Sequence, residues 1–137
     1  MNDGAGALGP RGREQLEKVL VLLAEERASV SSVVDERAWK VHVEDSLTGL
    51  ELAQLRQATR IADVGAGAGF PGLVLAVAIP GAQVDLIESV GRKCEFMRRA
   101  ITVAGIPNAK VLNLRSEEWA SSARVERRAT ARAVTRS

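Results

Sequence analysis

Cysteine and histidine are almost missing from this 137-residue chain, which has one of each, Cys94 and His42. A single cysteine rules out an internal disulfide and any cysteine-cluster metal site. A single histidine argues against a His-based metal centre and against a mechanism built on a histidine pair. Aromatic residues are scarce too: two Phe, two Trp and no Tyr. The usual stacking platform for single-stranded nucleic acid is therefore not evident. The longest unbroken apolar run, Leu73–Ile79, is far short of the ~20 residues needed to span a bilayer. Met1–Pro10 is rich in Gly and Ala and shows no basic start followed by a long apolar stretch, so no secretory signal is visible. These absences lead us to expect a soluble, cytoplasmic protein without a membrane partner.

What is present is an ordinary globular mixture, 46% hydrophobic and 26% charged. The length suits one domain, and a chain of this size can bury roughly two thirds of its unfolded surface. Charge is uneven. The net charge is +2, but residues 121–137 hold five Arg and one Glu, leaving −2 over residues 1–120. Fifteen Arg stand against four Lys. Arginine pairs well with phosphate, although genome composition also produces such a bias. No internal repeat is visible.

Periodicity divides the chain in two. Residues 1–12 read as a flexible lead-in. Arg13–Ala28 reads as an amphipathic helix, with Leu16, Val19, Leu20 and Leu23 on one stripe. Asp35 can cap a second helix through Trp39, Val43 and Leu47, with a short helical piece continuing to Arg56. The pattern then alternates. Arg60–Val64 and Gln83–Ile87 are short apolar strands, and Ala109–Leu114 is a third. A helix opened by Pro71 lies between the first two, and one starting near Ser89 lies between the second and third. Glu117–Ala120 begins another helix. Strand–helix alternation implies right-handed crossovers and a parallel sheet. The tail, 121–137, is too charged for a buried strand; it is either disordered or packs as an edge.

The strongest signal is Asp63-Val-Gly65-Ala-Gly67-Ala-Gly69-Phe70-Pro71-Gly72, between a strand and a helix. Glycine lets a backbone bend sharply and lets a ligand come close. The helix start offers unpaired N–H groups to a negatively charged ligand group. Glu88 ends the next strand, nineteen residues after Gly69, where a carboxylate can accept from both hydroxyls of a ribose. Two cofactors compete. Gly67-x-Gly69-x-x-Gly72 matches the dinucleotide fingerprint and suggests NAD and a dehydrogenase fragment. Asp63-x-Gly65-x-Gly67-x-Gly69 is similar to the first motif of S-adenosylmethionine-dependent methyltransferases. A strand-end carboxylate suits a cofactor with an ammonium group and a sulfonium, whereas Asp63 beside a pyrophosphate is unfavourable. We favour S-adenosylmethionine.

Three further stretches, His42-Val-Glu-Asp45-Ser46-Leu47, Glu88-Ser89-Val90-Gly91-Arg92-Lys93 and Arg115-Ser116-Glu117-Glu118, complete a pattern. In this order the chain resembles the ribosomal RNA small subunit methyltransferase G family, also called glucose-inhibited division protein B. The resemblance is firm over about residues 35–120 and weaker at Thr130-Ala-Arg132-Ala-Val134. It implies an α/β fold: a Rossmann-like, class I S-adenosylmethionine-dependent methyltransferase with an N-terminal helical extension (13–58), a cofactor-binding half (59–120) and missing C-terminal strands. It implies methylation of N7 of a guanine in 16S ribosomal RNA, with that RNA or the small ribosomal subunit as partner. Carried residue by residue, it adds Gly65, Phe70, Glu88, Ser89, Val90, Ser116, Glu117 and Arg132 as cofactor contacts; Asp63, Gly67 and Gly69 follow from the loop itself. The family has an apolar strand ahead of the Thr-Ala-Arg stretch, where this chain has Glu126, Arg127 and Arg128, and it continues beyond the length found here. We therefore expect a truncated copy; the alternative function is an inactive cofactor-binding fragment or a degenerate copy. Guanine N7 carries no proton, so no catalytic acid or base is assigned.

Other residues have plainer readings. His42 reads as a structural hydrogen-bonding group, Asp45 and Ser46 as caps or near-site residues, Cys94 as a packed thiol, and Trp39 and Trp119 as packing. Arg92, Lys93, Arg98 and Arg99 read as a solvated helix face or as contacts to RNA phosphates. Glu117 and Glu118 also suit the first turn of a helix.

Overall fold

The computed structural model describes residues 8–26, 37, 39–47, 57–126 and 132–136. Helix α1 (Gly9–Glu26) buries Leu16, Val19, Leu20 and Leu23, the stripe read from the sequence. It begins earlier than Arg13, so the boundary at residue 12 is corrected. Leu8 and Gly12 are buried, and Gly12 lies so close to the chain at Val77 that a Cβ there would stand 2.9 Å from it. This apolar anchorage pulls the first turn into the fold. Trp39–Glu44 forms a wide π-type helical turn that runs into the short α2 (Asp45–Leu47). Trp39, Val43 and Leu47 are its buried residues. Asp35 and the expected piece near Arg56 lie outside the described residues.

The alternating part follows the apolar runs. Strands β1 (Arg60–Val64), β2 (Gln83–Glu88) and β3 (Ala109–Asn113) alternate with helices α3 (Gly72–Ala78) and α4 (Gly91–Ala104). Helix α5 (Ser116–Glu126) extends well past Ala120 and leads to β4 (Arg132–Arg136). The carboxylate of Glu118 reaches back to the Arg115 amide at 3.0 Å and starts α5 with half of a capping box. Residues 121–137 thus contribute the end of a helix and a strand.

All pairings are parallel, in the order β3-β2-β1-β4. The chain steps outward from β1 to β2 to β3, then returns to the far side of β1. With right-handed crossovers, that reversal sends α5 to the opposite face from α3 and α4. The core agrees. Ile61, Val84, Leu86 and Val111 pack with α1, α3 and α4, whereas Ala62, Val64 and Ile87 pack with Trp119 of α5. Strand alternation sorts these side chains between the faces. The reversal between β1 and β4 creates a switch point, and in open parallel sheets ligands bind outside the carboxyl ends of the strands there.

Candidate functional site

The loop after β1 is tied down at its start and open at its crest. The amides of Gly65 and Ala66 both donate to the Ile87 carbonyl, at 2.8 and 3.0 Å. Gly65, Gly67 and Gly69 have φ of 77°, 58° and 101°, backbone that side chains beyond glycine rarely adopt. The glycines nevertheless do different work. A Cβ on Gly67 would meet nothing closer than the Gly65 carbonyl oxygen at 4.0 Å, so this part of the loop borders open space. A Cβ on Gly69 would stand 2.5 Å from Leu73 Cδ1, and one on Gly72 only 2.2 Å from Leu86 Cδ2. Gly69 and Gly72 are therefore packing glycines that bring α3 down on the sheet.

The two strand-end carboxylates also differ. Asp63 is fully buried, and its Oδ2 accepts from the Gly72 amide at 2.9 Å. It secures the start of α3 from beneath, with no surface toward a ligand. That corrects the expectation of a direct cofactor contact: strand alternation turns Asp63 to the same face as Ile61, under the helix. Glu88 lies at the crest. Its Oε1 accepts from the Gly67 amide at 2.8 Å and its Oε2 from the Val90 amide at 2.9 Å. The Glu88 carbonyl accepts from Cys94 Sγ at 3.2 Å and from the Leu114 amide at 3.2 Å. Burial pushes the Cys94 thiol pKa up, which keeps the thiol protonated as a donor.

Of the remaining expected residues, Ser89 and Val90 are exposed in the turn after β2. Ser116 and Glu117 follow β3, joined by a 2.7 Å hydrogen bond from the Ser116 hydroxyl to Glu117 Oε1. That bond holds the Glu117 carboxyl below its ordinary pKa. Turns after three neighbouring strands thus come to one end of the sheet. Arg132 does not join them. It pairs in register with Arg60 at the start of β1, whereas Val64, next to the loop, is level with Arg136. Four residues of strand separate the two levels, about 13 Å. The β-branched pair Val134 and Thr135 follows Arg132 and suits the strand.

Two features escaped the sequence reading. The His42 ring stacks on Phe70, with centroids 5.0 Å apart and 28° between planes, bringing the helical segment against the glycine loop. A groove of about 430 Å³ runs beside the crest, lined by Leu23, Glu26, Gly67, Ala68, Arg92, Lys93 and Phe96. Contacts between segments so far apart in sequence leave no local signal in one chain. The His-to-Leu stretch ahead of the loop was the available hint.

Comparison with known proteins bears on this arrangement. A family model described as rRNA small subunit methyltransferase G (GidB) matches residues 14–137. A ribosomal RNA small subunit methyltransferase G of Rubrobacter xylanophilus is 42% identical over 116 residues, covering 81% of this chain and 44% of the relative. One of Dichelobacter nodosus is 38% identical over 129 residues, covering 89% and 60%. The chain spans about half the length of the curated relatives it matches. A crystal structure from Klebsiella pneumoniae, described provisionally as an O-methyltransferase, has a TM-score of 0.57 at 19% identity, over 79% of this chain and 46% of that one. A hypothetical protein of a Thermus species gives 0.52 at 23%, over 69% and 54%. The fold is the Rossmann-like α/β arrangement of class I methyltransferases. The match over residues 14–137, together with the glycine loop and the strand-end acid that follows it, makes this chain a member of the rRNA small subunit methyltransferase G family.

Proposed function

We propose that this chain carries the S-adenosylmethionine-binding half of a methyltransferase that, as a whole protein, modifies N7 of a guanine in 16S ribosomal RNA. The RNA or the small ribosomal subunit is then its partner and the cytoplasm its place of work. The observation that supports this best is the 2.8 Å bond between the Gly67 amide and Glu88. It brings the glycine loop and the acid together at the ends of adjacent parallel strands, beside the switch point.

The residues present fit a nucleoside sulfonium. The missing Cβ of Gly67 leaves space for a ligand against the main chain. Glu88 suits a ribose diol, and the 42% exposed Val90 beside it offers an apolar surface to a purine. In this reading Gly65, Gly67, Phe70, Glu88, Ser89, Val90, Ser116 and Glu117 line the site, and Asp63 and Gly69 shape it from behind. Helices α1 and α2 act as a helical extension, and 59–120 as the cofactor-binding half. A dinucleotide fits less well. The middle glycine of its fingerprint lets the backbone approach a pyrophosphate, but the corresponding face of Gly69 is filled by Leu73.

When bound, S-adenosylmethionine supplies an electrophilic methyl group. Guanine N7 has a free lone pair and no proton, so the chain needs no general base. Its contribution is to hold and aim the reactants and to keep the loop from moving.

Calorimetric titration of the folded chain with S-adenosylhomocysteine and with NAD tests the reading. S-adenosylhomocysteine should bind, NAD should not, and Gly67→Val should weaken binding at least about tenfold by filling the space over the crest. Binding of NAD alone, or of neither, would overturn it. Methyl transfer itself is to be measured with a full-length protein and small ribosomal subunits.

A further inference from the structure

Glu88 makes two hydrogen bonds inside the protein that a ligand contact alone does not require. We infer that Glu88 is a positioning residue, whose carboxylate clips the crest of the glycine loop to the turn after β2 and holds the crevice in shape before any ligand arrives. The inference deepens the proposed cofactor site and rests on that reading for its ligand, but its evidence lies wholly within the chain.

The geometry is that of a bridge. One oxygen takes the Gly67 amide at 2.8 Å and the other takes the Val90 amide at 2.9 Å, so one side chain joins loops that leave two different strands. Bonds from amides to an ionised carboxylate are stronger than neutral ones. Glu88 is 6% exposed, so water competes little for them. Its backbone is held as well, since the Glu88 carbonyl takes Cys94 Sγ and the Leu114 amide, each at 3.2 Å. The side chain therefore extends from a fixed base.

Packing does not supply the same restraint at Gly67. That residue has φ +58° and no side chain, and nothing would lie within ordinary contact of a Cβ there except a carbonyl oxygen at 4.0 Å. The Gly69 amide donates to the Ala66 carbonyl at 2.8 Å and closes the crest on itself, while the carboxylate ties that turn to the one after β2. A carboxylate has about four acceptor positions. Two serve the amides, which leaves two for a diol. Clamping and diol recognition therefore coexist on one group, and each amide helps aim the positions that remain.

Amide hydrogen exchange, read by NMR on the ligand-free 137-residue chain, tests this. Gly67 and Val90 should be protected in the native chain. In Glu88→Ala both should exchange at least about tenfold faster, while β2 amides such as Leu86 stay unchanged. If that variant loses its fold, Glu88→Gln decides. The two amides use different oxygens of Glu88, and the NH2 that replaces one of them donates and cannot accept, so one of the two amides should exchange faster and the other stay slow. Unprotected amides in the native chain, or protection that survives either substitution at both positions, would overturn the inference. A second arm separates clamping from ribose contact. Glu88→Ala should weaken S-adenosylhomocysteine and also its 2′,3′-dideoxy analogue; loss confined to the diol-bearing ligand would count against the clamp. If neither ligand binds the native chain, the cofactor reading fails while the exchange result stands.

Discussion

The two faces of the sheet are built differently. On one, α1, α3 and α4 cover Ile61, Val84, Leu86 and Val111 with a deep apolar layer that includes Leu16, Leu73, Leu75 and Met97. On the other, among the described residues, Trp119 meets Ala62, Val64 and Ile87, with Leu112, Leu114 and Ala120 partly buried beside them. The glycine loop is anchored to the deep side: Gly69 and Gly72 press on Leu73 and Leu86, and Asp63 holds the Gly72 amide. The crest and Glu88 stand at the rim between the faces. The glycine loop is thus carried on the side of α1, α3 and α4, while α5 on the other side carries the chain across the switch point.

The sharpest break of this contrast is at Gly72. Gly72→Val should cost more than about 3 kcal/mol, or abolish folding, because the new atoms overlap Leu86 and Asp63; urea denaturation measures it. A loss under about 1 kcal/mol would show that α3 is free to lift. Next comes a pair, one substitution on each face. Leu16→Ala should cost about 3 kcal/mol, and Trp119→Ala about 2 kcal/mol despite the larger side chain, because Leu16 is fully buried and Trp119 keeps an edge in solvent. The reverse order would place the stability of the sheet on the α5 side.

A smaller effect separates the glycines. Gly69→Ala should destabilise by about 2 kcal/mol through contact with Leu73 and positive φ. Gly67→Ala should cost about 1 kcal/mol, from backbone conformation alone. Equal losses would mean that the crest is packed as tightly as the base. The smallest effect is electrostatic. Ser116→Ala removes the hydroxyl that lowers the Glu117 pKa, so the Glu117 midpoint, read by NMR, should rise toward the ordinary glutamate value. Because the folded pKa is depressed, the bond's contribution is present above the unfolded pKa and is lost as pH falls through the folded one. The variant should therefore differ from the native chain at neutral pH and converge with it in acid.

Much of this was readable from local pattern. Arg60–Val64, Gln83–Glu88 and Ala109–Asn113 are short apolar runs bounded by Gly, Pro or Asn, and each forms a strand. Pro71 marks the opening of α3, and Gly105 closes α4. The start of α1 was misread because Gly9, Pro10 and Gly12 are poor helix formers, although Leu8 and Gly12 continue the stripe of Leu16 and Leu20 at a spacing of four; distant Val77 draws that turn in. The register of Arg132 with Arg60 was not readable for a related reason. A motif match gives order along the chain, but the level of a residue on a sheet depends on where pairing begins. The stack of His42 on Phe70 left no trace beyond the His-to-Leu stretch itself.

Composition and spacing alone were enough for the class of fold, the parallel sheet, the glycine loop and the acid that follows it, because hydrophobic period and glycine placement are short-range properties of the chain. Packing assigned the individual duties: Asp63 beneath the helix, Gly69 and Gly72 against side chains, Gly67 to open space, Glu88 across two loops, and Arg132 to the far end of β4. Those duties depend on which atoms from distant segments arrive within a few ångströms of one another, and no order of residues states that until the faces of the sheet have closed.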